Sequence, residues 1–173
     1  MNIILCGLPM SGKTAIGRML AERLNWNFID TDRLVENAYT RHTDIKYTCR
    51  RIYKEKGEAF FRELEKQEIA SLKSSVNSVI ATGGGSLCDQ KNVDALKSLG
   101  ELIYLQASTH VLWQRIQAHG IPAYVDVNDP EKTFYEMSIR RIPIYEEAAH
   151  FIIKTCHLSE QDIVTLILNK RKA

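Results

Sequence analysis

The sequence predicts an α/β protein built on a parallel sheet, and three observations carry that prediction. Short apolar runs at 2–6, 27–30, 78–81, 102–105 and 151–153 have the length and branching of buried strands. Between them lie segments with helical spacing, so each strand returns to the sheet through a helix, as right-handed parallel crossovers require. Several runs also end in glycine or acidic residues, the residue types that ligands meet at the carboxyl edge of such sheets.

The first strand runs into Gly7-Leu8-Pro9-Met10-Ser11-Gly12-Lys13-Thr14, which has the G-x-x-x-x-G-K-[ST] spacing of a phosphate-binding P-loop. A helix follows over 13–24, with Ile16, Met19, Leu20 and Leu24 on its apolar side. Strand, glycine turn and helix let successive backbone N–H groups converge on phosphate at the positive end of the helix dipole. Leu8, Pro9, Met10, Ser11, Gly12, Lys13, Thr14 and Ala15 are therefore the expected nucleotide-binding residues. Lys13 is expected on the β and γ oxygens of ATP and Thr14 on Mg²⁺.

The second run ends in Asp30-Thr31-Asp32. If the extended geometry continues through the triplet, Asp30 and Asp32 share a direction, one acid serving the metal and the other a substrate hydroxyl. The alternative is that Asp32 only caps a helix over 33–39. Residues 40–57 are polar, basic and weakly periodic. Gly57-Glu58 then opens a helix over 59–74 whose buried stripe is Phe61, Leu64, Ile69 and Leu72. Arg62 and Glu65 lie three apart on one face, either as a surface pair or as part of a site.

The third strand leads into Thr82-Gly83-Gly84-Gly85-Ser86, where glycines permit positive φ and close approach to a ligand. Helices are expected over 89–99, 108–118 with Ser108 as cap, 131–147 with a break at Pro143, and 159–170.

At 173 residues, 45% hydrophobic and 25% charged, the chain has the size and composition of one globular domain. The net charge of +2 gives no support for nucleic acid or membrane as main partner. The four cysteines form no C-x-x-C pair and the five histidines no metal-binding spacing. A core strand directly after Met1 leaves no room for a secretion signal, so a cytoplasmic protein is expected.

The P-loop, Asp30-Thr31-Asp32, Gly57-Glu58 with Phe61-Arg62 and Glu65, Gly83-Gly84-Gly85 and Arg141-Ile142-Pro143-Ile144-Tyr145 together resemble the shikimate kinase family. The resemblance implies a single domain over 1–173 with a five-stranded sheet in the order 2-3-1-4-5, a substrate-binding segment at 32–62 and a mobile lid at 119–130. It implies a monomer that phosphorylates the 3-hydroxyl of shikimate with ATP and Mg²⁺, in aromatic amino-acid biosynthesis. By the same resemblance Asp30 helps hold the metal, and Asp32 meets the substrate hydroxyls as candidate base. Arg62 and Arg141 grip the carboxylate, and Glu65 orients Arg62. Gly84 and Gly85 touch the ring, and Arg115 lies near adenine.

Three departures stand out. The family lid carries Arg-Pro, whereas Pro122 here follows Ile121, so His119, Lys132 or Arg140 is expected to supply the missing charge. Met10 stands where glycine is common, which its backbone accommodates if the angles suit a non-glycine residue. The stretch between Asp32 and Gly57 is longer than usual. Two alternatives remain beside the shikimate reading: another P-loop small-molecule kinase, and a catalytically weak nucleotide-binding module with an altered lid.

Overall fold

The computed structural model describes residues 1–120, 125 and 128–171. Five strands, β1 (Asn2–Cys6), β2 (Asn27–Asp30), β3 (Ser78–Ala81), β4 (Gly100–Gln106) and β5 (Phe151–Lys154), form one parallel sheet in the order β2-β3-β1-β4-β5. The crossover helices are α1 (Lys13–Leu24), α2 (Thr31–Thr43), α3 (Cys49–Lys56), α4 (Glu58–Ser71), α5 (Gln90–Leu99), α6 (Thr109–His119), α7 (Pro130–Ala148) and α8 (Glu160–Lys170). Among the described residues no helix is long and apolar enough to cross a membrane.

Alternation along the central strands divides the core. Ile3, Leu5, Val79 and Ile103 face α1 and α8, where Ile16, Leu20, Ile163 and Ile167 meet them. Ile4, Ile80, Leu102 and Tyr104 face the opposite layer with Val93, Leu96, Leu112 and Phe134. Both faces of β1 are thus covered, which is why the strand is apolar without alternation. A third cluster of Val35, Ala38, Tyr39, Ile52, Phe61 and Leu64 joins α2, α3 and α4. That packing gathers the 33–56 segment into one body at the sheet's carboxyl edge.

Three expectations are corrected. Extended geometry does not continue through Asp30-Thr31-Asp32: Asp30 is itself the N-cap, its carboxylate accepting from the Asp32 N–H, so α2 starts at Thr31 and reaches Thr43. Ser108 stands at the N-cap of α6 but its side chain makes no capping bond. Helix α7 passes through Pro143 unbroken because Phe134, Met137, Tyr145 and Ala148 bury its face on both sides of the proline. The carbonyl that loses its partner there belongs to Ile139, 72% exposed and so open to solvent.

Candidate active site

Parallel register brings the site together. Asp30, Ala81 and Leu5 stand in one row across β2, β3 and β1. Beyond that row Thr82 donates from both N–H and hydroxyl to the Leu5 carbonyl, and the Gly83 N–H donates to Thr31 Oγ1 at 2.9 Å. The acidic turn, the glycine turn and the P-loop consequently share one edge, around a cleft of about 700 Å³.

In the P-loop, Gly7 and Gly12 have φ of +143° and +90°, and a Cβ on Gly7 would stand 2.8 Å from the Leu105 carbonyl oxygen. Met10 does not have angles that favour a side chain: its φ is +64°, left-handed backbone that costs a non-glycine residue about 1–2 kcal/mol. Two contacts hold it, its side chain against the core and its carbonyl accepting from Arg115 Nη1 at 3.0 Å. Leu8 and Ser11 are buried beneath the loop, whereas Pro9, Met10, Gly12, Lys13, Thr14 and Ala15 line the cleft.

Lys13 donates to the carbonyls of Gly7 at 3.0 Å and Leu8 at 2.8 Å. Burial pushes its ammonium down to about 8, against the pull of Asp32, Cys6 and Asp30. Thr14 Oγ1 donates to Asp30 Oδ2 at 3.0 Å. A hydroxyl and a carboxylate at hydrogen-bond distance are hard oxygen donors on one side of a space open to phosphate and water, the set that suits Mg²⁺.

Asp32 is exposed, and it lines the cleft with protein packed around its carboxyl. Desolvation by that surrounding protein, with the like charges of Asp30 and Glu65, pushes its carboxyl up to about 6. The Cys49 thiol donates to the Asp32 carbonyl at 3.2 Å, and burial holds that thiol well above its usual range.

The opposite wall is a buried chain of charge-assisted bonds. Arg62 Nη1 donates to Glu65 Oε2 at 2.7 Å, and Ser86 Oγ donates to Glu65 Oε1 at 2.7 Å. Asn92 donates to the Ser86 carbonyl at 2.9 Å. The three glycines are needed for space, since none has positive φ. A Cβ would meet Asp32 Oδ1 at 2.6 Å from Gly83 and Pro9 Cδ at 3.0 Å from Gly84, and from Gly85 it would collide with the Arg62 guanidinium. The Gly84 carbonyl accepts from Arg141 Nη1 at 3.0 Å and also from the Tyr145 hydroxyl.

All the charged residues picked out from the sequence as site residues, Lys13, Asp30, Asp32, Arg62, Glu65, Arg115 and Arg141, line this cleft. Of the three cations expected to supply the lid charge, His119 lines it, and Lys132 and Arg140 do not. Residues 121 and 122, where the lid departs from the family pattern, lie outside the described residues. Sequence reasoning gave no site role to Cys49, Arg50, Tyr53 and Glu160, which line the cleft, nor to Tyr145, which it named only within the Arg141–Tyr145 motif. Tyr145 was findable, four residues beyond Arg141 on one helical face. Arg50 and Tyr53 were hidden because the short helix that carries them is strongly polar and basic overall, with Ile52 its one buried residue.

A phosphate loop at the edge of a parallel sheet, with a carboxylate and paired arginines across the cleft, defines a P-loop kinase of small molecules. The family model described as shikimate kinase matches residues 9–172. This chain belongs to the shikimate kinase family. It is 40% identical to the shikimate kinase of Symbiobacterium thermophilum over 98% of this chain and 95% of the relative. It is 35% identical to that of Burkholderia pseudomallei over 96% and 88%. Among solved structures, shikimate kinase from Acinetobacter baumannii in complex with shikimate superposes with a TM-score of 0.90 at 32% identity, over 99% of this chain and 92% of that one.

Proposed function

We propose that this protein transfers the γ-phosphoryl group of ATP to the 3-hydroxyl of shikimate, as a cytoplasmic monomer that acts on small molecules and not on nucleic acid or membrane. The observation that carries the reading is the union, in one cleft, of the P-loop cation Lys13 with Asp32, Arg62 and Arg141.

Arg62 and Arg141 present guanidinium forks to the ring carboxylate, with Glu65 fixing Arg62 from behind. The ring then lies along the Gly84 and Gly85 backbone, which lines the cleft and carries no side chain of its own. Asp32 accepts the proton of the attacking hydroxyl as its oxygen bonds to the γ-phosphorus and the bond to the ADP oxygen breaks. Lys13 meets the negative charge that gathers on the β and γ oxygens. Thr14 and Asp30 would hold Mg²⁺, which when bound neutralises and aligns the phosphates.

ADP release with ATP, Mg²⁺ and shikimate, run beside gluconate and a nucleoside panel, tests this. Turnover that depends on shikimate is expected. ATP binding without turnover on any of them would replace the reading with a nucleotide-binding module.

A further inference from the structure

We propose that Arg50, on α3, supplies the guanidinium that neutralises the transferring phosphoryl group; the inference rests on the kinase reading above. Four arginines line the cleft among the described residues. Arg62 is bound to Glu65, Arg115 to the Met10 carbonyl and Arg141 to the Gly84 carbonyl. Arg50 makes no hydrogen bond or ion pair with any described residue. Its neighbour Arg51 is engaged elsewhere, its guanidinium 4.0 Å from the Tyr47 ring centre.

Position assigns Arg50 to the phosphate and not to the substrate acid. It springs from the α3 wall, yet its Nη1 comes within 3.9 Å of where a Cβ would stand on Gly120, just past the end of α6. Helix α6 also carries Arg115, whose bond to Met10 ties it to the P-loop. Arg50 therefore reaches from the substrate wall to the nucleotide side, between the two groups that exchange the phosphoryl. The carboxylate already has two guanidinium forks at the other end of the cleft, Arg62 and Arg141. Residue 121, an isoleucine, offers no positive charge. As the γ-phosphorus leaves the ADP oxygen for the hydroxyl, charge spreads over its three peripheral oxygens, and Arg50 donates hydrogen bonds to them. The 33–56 segment, by this account, brings the cation that Ile121 lacks.

The test compares the parent protein, Arg50→Ala, Arg50→Lys and His119→Ala for kcat, KM and binding of ADP with aluminium fluoride and shikimate, a mimic of the transition state. Arg50 is exposed, so Arg50→Ala is expected to keep the parent's thermal midpoint and ATP affinity. Its kcat is expected to fall about 10³-fold, with the tight binding of the mimic lost and KM for shikimate nearly unchanged. Arg50→Lys should recover part of kcat. Full turnover of Arg50→Ala, a rise in KM at unchanged kcat, or transfer of the whole loss to His119→Ala would each overturn the inference. An inactive parent would instead overturn the kinase reading beneath it.

Discussion

Glu65 is buried with its carboxylate 2.7 Å from the Arg62 guanidinium, and that single pair ties a core position of α4 to the wall of the cleft. A surface ion pair would contribute a few tenths of a kcal/mol. This one is shared with Ser86 and withdrawn from water, so it fixes both the helix and the direction of Arg62.

Glu65→Gln keeps the shape and removes the charge. Loss of a charge-assisted bond to Arg62 is expected to cost about 1.5–3 kcal/mol of stability and to raise KM for shikimate more than it lowers kcat. Urea unfolding and steady-state kinetics on the same preparation check both halves.

The glycine turn separates two effects. Gly83→Ala drives a methyl against Asp32 Oδ1, where the Cβ distance is 2.6 Å, and displacement of the base is expected to lower kcat about 10²-fold. Gly85→Ala pushes on Arg62 instead and should raise KM for shikimate. Neither residue has positive φ, so both variants are expected to fold normally by circular dichroism.

The pH profile follows from two shifted groups. As the proposed base, Asp32 must be ionised to take the hydroxyl proton, so kcat/KM is expected to fall as pH drops through about 6. Lys13, in its proposed role on the phosphates, must be charged, so kcat/KM is expected to fall as pH rises through about 8. Asp30→Asn retains an acceptor for the α2 cap but removes one of the like charges that raise Asp32. Its acid limb is expected at lower pH, and its Mg²⁺ requirement higher. Initial rates from pH 5 to about 9.5 at several Mg²⁺ concentrations read out both limbs.

The alternation of strands and helices, the P-loop and the acids and glycines at strand ends were legible in the sequence because each depends on residues close together along the chain. Helix α1 matches its expected bounds of Lys13 to Leu24, since glycine turn and apolar spacing both act locally. The start of α2 was less legible, because whether Asp30 or Asp32 caps depends on where β2 stops pairing with β3 at Ala81. Pro143 misled for a similar reason: burial on both sides, which no local propensity reports, carries α7 through it.

What the sequence determined by itself was the chemistry available, a phosphate loop, two rim acids and a set of cations, together with the fold that brings them to one edge. Only the tertiary structure decided which groups meet: that Gly83 makes room for Asp32, that Tyr145 joins Arg141 on the Gly84 carbonyl, and that Arg50 reaches toward Gly120. Period and spacing act along the chain over a few residues, whereas these contacts join residues up to 70 positions apart, and parallel register and helix packing set their distances.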